Sequence, residues 1–421
     1  MITCIEALNY RCFRYIRQPL ESFQVLVGPN ASGKTTFLDV VGFLSDFVSE
    51  GLNYAISKRS PRFQDLLFAG QGDAFELALE FQVPERLKRG TPLEEEGAVC
   101  RYELRVVLDA ESEEVVVDSE AVRFYSSPPS RPSKDRSLFP AVPFMPTTIT
   151  SGHRSRGNRR VLSKSRNGST HYYVETSKEA GKGWVVNLRL AAQKSALANL
   201  PEDEQKFPIC TWMKQLLIEG VQVLALDGQT LRKASLPNQP RRFKPDASNL
   251  PFVVEDFRSK HPERFDDWIQ HVKEALPTLI GVETIEQPWD KYRYLVLIYE
   301  DGLRIPSWTA SDGTLRMLAL TLPAFLPDLE GVFLIEEPEN GIHPKAVATL
   351  QQALSSVYQA QVLVATHSPV FLGLVEPHQI LCFAKDSEGA TDIVRGDQHP
   401  MLADWQHEVN LQDYFISGVL G

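Results

Sequence analysis

One stretch of eight residues constrains this chain more than any other: Gly28-Pro29-Asn30-Ala31-Ser32-Gly33-Lys34-Thr35, which fits G-x-x-x-x-G-K-[ST]. The pattern means little without the right flanks, and here they are present. Phe23 to Val27 is a short apolar run that predicts a buried strand, and from Thr35 onward Phe37, Leu38, Val41, Leu44 and Val48 recur at helical spacing. A glycine-bearing loop between a strand and a helix can curl its backbone N–H groups inward around a phosphate. The positive end of the helix dipole adds to the attraction. Lys34 is expected to bridge the β- and γ-phosphates of ATP, and the Thr35 hydroxyl to hold Mg²⁺. Gly28, Asn30, Ser32, Gly33, Lys34, Thr35 and Thr36 form the expected nucleotide-binding set.

Far downstream, Val332-Phe333-Leu334-Ile335-Glu336-Glu337-Pro338 reads as an apolar strand tipped by two carboxylates. If this strand lies beside the first, Glu336 reaches the magnesium shell and Glu337 can act as general base on the attacking water. A third buried strand, Val362 to Ala365, runs into Thr366-His367-Ser368-Pro369. A neutral imidazole at His367 could hydrogen-bond the γ-phosphate, so His367 joins Glu337 and Lys34 as a candidate catalytic residue. Ser311-Asp312-Gly313-Thr314-Leu315-Arg316 opens a predicted helix, Thr314 to Leu322, and its serine and glycine make a second anion site at a helix start.

Between these motifs the pattern changes. Alternating apolar residues at Phe75–Phe81, Tyr102–Leu108 and Val115–Val117 predict antiparallel strands with one solvated face. A more helical region follows, its clearest helix being Pro262 to Leu276. The expected division is 1–70 and 281–421 for the two parts of a nucleotide-binding head, 71–190 for a β-rich lobe, and 191–280 for a helical lobe. The formal net charge is −10, yet Arg131, Lys134, Arg136, Arg154, Arg156, Arg159, Arg160, Lys164 and Arg166 crowd one Pro-, Ser- and Gly-rich stretch. That basic loop, bounded at 126–170, reads either as a solvated loop or as a contact surface for phosphates or an acidic partner. No run of about 20 apolar residues predicts a membrane span. Five scattered cysteines argue against a disulfide framework or a zinc site. The expected setting is cytoplasmic, with no membrane contact.

The order of these motifs resembles that of ABC-type ATPases, and within them the RecF/SMC/OLD branch and the short AAA-21 ATPases of phage-defence systems. Asn9-Tyr10-Arg11-Cys12-Phe13-Arg14 resembles that branch's first strand. Ser248-Asn249-Leu250, Ser311 to Arg316, Glu337 to Pro344, Ala365 to Pro369, and the ending Leu411 to Phe415 with Gly418 to Gly421 are similar to the short ATPases. The resemblance implies an α/β fold: an ABC-type P-loop head, a mixed sheet flanked by helices, with an inserted β-rich and helical lobe. It implies a homodimer or higher even oligomer, with Ser311 and Gly313 of one copy closing over ATP held by Lys34 of the other. Asn340 would lie in the loop linking the two sites. Gln64 and Gln71 are both candidates for a magnesium-sensing glutamine.

Three kinds of work fit such a chain. A transporter motor places its signature much nearer the phosphate loop than Ser311 stands here. An SMC-type protein would carry a long coiled coil, which prolines and glycines interrupt throughout; a compact RecF-like, ATP-gated DNA clamp remains as an alternative. The third is a regulatory ATPase of anti-phage defence acting on a separately encoded effector such as a nuclease. The short segment after His367 does not accommodate the Toprim domain that OLD nucleases carry there. The resemblance favours this last reading, with DNA as a further partner.

Overall fold

The computed structural model describes residues 1–95, 97–125, 138–141, 145–150, 158–176, 185–327 and 329–402. In chain order the strands are β1 (Ile2–Tyr10), β2 (Phe13–Pro19), β3 (Phe23–Val27), β4 (Ala74–Phe81), β5 (Val99–Leu108), β6 (Val115–Tyr125), β7 (Asn158–Ser165), β8 (Ser169–Tyr173) and β9 (Val185–Arg189). They continue with β10 (Val221–Leu224), β11 (Leu279–Glu286), β12 (Arg293–Tyr299), β13 (Arg304–Pro306), β14 (Gly331–Glu336), β15 (Ala360–Ala365), β16 (Ile380–Lys385) and β17 (Thr391–Arg395). The longer helices are α1 (Lys34–Glu50), α2 (Leu250–Lys260), α3 (Pro262–Ala275), α4 (Asp312–Thr321) and α5 (Val347–Ser355).

Every residue of β3 is buried, as a strand covered on both faces requires. It sits inside a six-stranded sheet of order β10-β14-β15-β3-β16-β17, parallel except for the last pair. One expectation is corrected here. The carboxylate-tipped β14 does not lie beside β3, because β15 is inserted between them. The acidic tip still reaches the phosphate loop, since Glu336 is level with Ala365 on β15 and Thr366 N–H donates to Leu26 O on β3 at 3.1 Å.

The second sheet has eight strands in the order β2-β1-β4-β5-β6-β7-β8-β9. It crosses the division expected at residue 70, because β1 pairs with β2 on one side and with β4 on the other. One face packs on α1 through Phe43, Phe47, Phe75 and Tyr102. The other was expected to be wet, and it is not. Glu6, Glu76, Glu80, Arg101 and Glu103 on it are all buried. They survive there because they pair: Arg101 donates to Glu6 at 2.6 Å, Glu80 at 3.0 Å and Glu103 at 2.9 Å. Ile149 lies across them, giving its N–H to Glu76 at 2.6 Å and taking an Arg101 N–H at 3.2 Å.

The basic stretch is also not one loop. Its second half is β7 and the start of β8. Lys164 is buried and donates to the carbonyls of Ala191, Ala192 and Lys194, Arg159 to that of Val174, and Arg166 pairs with Asp109. Arg160 is exposed. Arg131, Lys134, Arg136, Arg154 and Arg156 lie outside the described residues, as does the ending from Leu411. Ahead of β7, Ala141 N–H reaches Asp392 Oδ2 on β17 at 2.9 Å. The helical lobe holds α2 and α3 as expected, but also β10, whose four residues add an edge to the main sheet. A small antiparallel sheet, β11-β12-β13, leads into α4.

Candidate nucleotide site

Two glycines shape the phosphate loop. Gly28 has φ 146 and a Cβ there would meet Phe383 O at 2.3 Å; Gly33 has φ 108 and a Cβ there would meet Thr391 Oγ1 at 2.7 Å. Gly33 caps α1 without any side-chain hydrogen bond, leaving the first-turn N–H groups to an incoming anion. Thr391 on β17 pins the loop from outside, donating from Oγ1 to Ser32 O at 2.8 Å. Ser32 Oγ is buried and has no hydrogen-bond partner among the described residues. A buried hydroxyl left unpaired beside an uncapped helix start suits a phosphate oxygen.

Lys34 is buried, and its Nζ lies across the loop, donating to Gly28 O at 2.8 Å and Pro29 O at 2.9 Å. Burial pulls its pKa down to about 8, opposed by the negative charges of Glu337 and Glu336. Thr35 Oγ1 donates to Glu336 Oε2 at 3.0 Å. A hydroxyl and a carboxylate in contact at the end of the phosphate loop are the hard oxygen donors that Mg²⁺ takes.

Glu337 has an unusual backbone, with φ 47 in the left-handed region, which costs a non-glycine residue about 1 kcal/mol. The turn is held by Glu337 N–H donating to Ala365 O at 2.7 Å and Asn340 N–H donating to Glu337 O at 3.0 Å. The Asn340 side chain donates to the Glu337 carboxylate. His367 follows the buried Thr366 at the end of β15, and burial and the Lys34 charge lower its pKa while Glu337 opposes. Both effects favour the neutral imidazole. Glu339, which the motif reading did not single out, accepts from Thr366 Oγ1, and burial raises its carboxyl pKa.

Lys34, Thr35, Glu336, Glu337 and His367 thus come together at the ends of β3, β14 and β15. Ser311 and Gly313 do not join them. Ser311 caps α4, accepting from Thr314 N–H at 3.1 Å, and is exposed. Among the described residues no hydrogen bond or ion pair links either residue to residues 28–36. Gly313 instead packs on the loop after Glu337, where a Cβ would come within 2.5 Å of Gly341 O. Gln64 and Gln71 are both exposed, and neither side chain bonds Thr35 or Glu336. Beyond Thr36 lies an open hollow of about 400 Å³ lined by Arg11, Cys12, Phe68 and Lys385 together with the carboxylates Asp65 and Glu388.

Residues 23–373 match the family described as "AAA domain, putative AbiEii toxin, Type IV TA system". The chain belongs to this AAA-21 family. No curated protein matches it. Among solved structures, this AAA-21 chain is similar to the SMC head bound to the C-terminal winged-helix domain of ScpA. That match has TM-score 0.52 and 15% identity, covering 93% of this chain and 96% of the other. It is also similar to a Pyrococcus furiosus SMC head with an extended coiled coil bound to the C-terminal domain of ScpA. That match has TM-score 0.47 and 14% identity, covering 93% and 95%. The first likeness establishes the fold, that of an SMC head domain.

Proposed function

We propose that this AAA-21 ATPase binds ATP with Mg²⁺, closes as a dimer around two nucleotides, and uses hydrolysis to switch a separately encoded effector. One observation carries the dimer: the chain presents a phosphate loop with its carboxylates and, apart from them, an exposed Ser311 half-site that its own loop does not use. In this reading Lys34 and the free N–H groups of α1 hold the β- and γ-phosphates. Thr35 and Glu336 hold the magnesium, which neutralises phosphate charge. Glu337, aimed by Asn340, takes the proton of the attacking water, and neutral His367 hydrogen-bonds the γ-phosphate. Ser311 and the N–H groups of α4 close the site from the second copy.

The effector is supported by the family description, which names a toxin–antitoxin system, and by SMC heads solved with a separate chain bound. Antiviral defence rests on the same family likeness. The DNA-clamp alternative loses some support, since Arg159, Lys164 and Arg166 are engaged within the lobe. Mixing Lys34→Ala chains with Ser311→Arg chains leaves one intact composite site per heterodimer and should restore part of the ATPase activity that each variant lacks alone. Equal activity from a strict monomer excludes the dimer. Co-purification with the product of an adjacent gene tests the effector.

A further inference from the structure

The face of the small sheet turned away from the core carries apolar residues beside the Arg304–Glu283 ion pair and lies just ahead of Ser311. Side chains alternate along β11 and β12, so Ile285, Tyr294 and Val296 share that face, with Ile285 directly opposite Tyr294. Trp308 packs against Tyr294 with ring centroids 4.7 Å apart and the rings tilted by 51°, and it remains 49% exposed. Its turn is rigidly held: Ser307 Oγ donates to Arg232 O at 3.1 Å, and Arg232 Nε donates to Ala310 O at 3.3 Å. A half-exposed indole fixed by the residues on either side is pre-ordered for contact.

We propose that this Tyr294–Trp308 platform docks on the phosphate-loop side of a second copy of the chain. The inference rests on the dimer reading. Trp308 stands three residues before Ser311, so if Ser311 closes on a neighbour's ATP, Trp308 lands within about 10 Å of it, at about 3.3 Å per extended residue. The surface available there has matching chemistry. Phe68 and Arg11 line the hollow beside Thr36, and Arg14 lies 5.1 Å over the Phe68 ring. Arg11 and Arg14 are paired with Asp39 and Glu388, so an indole laid there gains chiefly by burying apolar surface against Phe68 and the guanidinium planes.

The test uses the full chain carrying Glu337→Gln to keep ATP bound, with dimerisation measured by sedimentation velocity in Mg-ATP. Adding Trp308→Glu should raise the dimer dissociation constant about thirtyfold or more, as for an interface hot spot. Trp308→Phe should stay within a few-fold, and a fluorescent ATP analogue should bind the monomers equally. Unchanged dimerisation with Trp308→Glu overturns the platform and leaves the dimer reading standing. A Glu337→Gln chain that stays monomeric in Mg-ATP overturns both. Loss of the dimer in both Trp308 variants, with a matching fall in Tm, shows that Trp308 only supports the fold and also overturns the proposal.

Discussion

Thr35 and Glu336 stand 301 residues apart in the chain and meet at 3.0 Å, although β15 lies between β14 and the strand that leads into the phosphate loop. α1 packs across β15 and β10, so Thr35 at its start is carried past β15 to the Glu336 carboxylate. Glutamate rather than aspartate at this position gives the extra methylene a job. Glu336→Asp is expected to pull the carboxylate back from Thr35 and raise the Mg²⁺ concentration needed for half-maximal ATPase activity by about tenfold, equivalent to about 1.4 kcal/mol. A magnesium titration of steady-state turnover checks it. An unchanged titration would mean that the methylene is not used.

Glu337→Gln should retain ATP and stop turnover, because only the base is lost. Asn340→Ala should leave ATP affinity intact and slow hydrolysis by about tenfold or more, since the base loses the amide that aims it. Single-turnover hydrolysis separates the two effects from binding. Turnover in Glu337→Gln together with its loss in Glu336→Gln would reverse the roles assigned to the two carboxylates.

Lys34→Ala should abolish ATP binding. The wild-type lysine makes a pH prediction too. Its pKa in the folded chain lies near 8, below the ordinary lysine value, so the ammonium is present below that pH and is lost as pH rises through it. ATP affinity should therefore be flat from pH 6.5 to 7.5 and weaken above about 8. Bound phosphate favours the charged form, so the same transition should move upward in the complex. Fluorescent-nucleotide titration across pH 6.5–9.5 reads both shifts, and a flat profile to pH 9.5 would exclude a titrating Lys34.

Arg101→Ala should be the most damaging change outside the site. It removes the shared cation from three buried carboxylates, leaving Glu6 with Tyr15, Glu80 with Arg17 and Glu103 with Arg123, and opens the contact with Ile149, a loss of about 3–5 kcal/mol by analogy with broken buried ion pairs. Arg101→Met keeps the volume but not the charge and should be nearly as costly. Urea unfolding of the two variants checks this. A loss below 1 kcal/mol would mean that the carboxylates find water or protons instead.

The phosphate loop, the double carboxylate and the terminal histidine were readable because each combines rare local chemistry with an apolar strand. β14 and β15 announce themselves as continuous apolar runs. Their left-to-right order does not, because nothing local in Val332–Ile335 says that Val362–Ala365 will come between it and Phe23–Val27. The solvated face expected on β4 and β5 failed for a related reason. Glu76, Glu80, Arg101 and Glu103 look like surface residues until the chain around Ile149 folds over them. Lys164 and Arg159 misled in the same way: a cation's count is visible in sequence, but the carbonyls that absorb it are not. Strand β10 carries only Val-Gln-Val-Leu, too short a signal to separate from its helical surroundings. Thr391 left no trace at all, since its role depends on a strand nearly the whole chain away from the loop it holds.

That last contact has a consequence for how the protein is made. The phosphate loop is synthesised within the first 35 residues, but its surroundings arrive late: β15 on one side, β16 on the other, and Thr391 bracing Ser32. A ribosome that has translated most of the chain has written the motif without its walls. Tight nucleotide capture should therefore begin only once β17 has left the exit tunnel, and a truncated or stalled product carries the loop yet has no means of drawing on the cell's ATP.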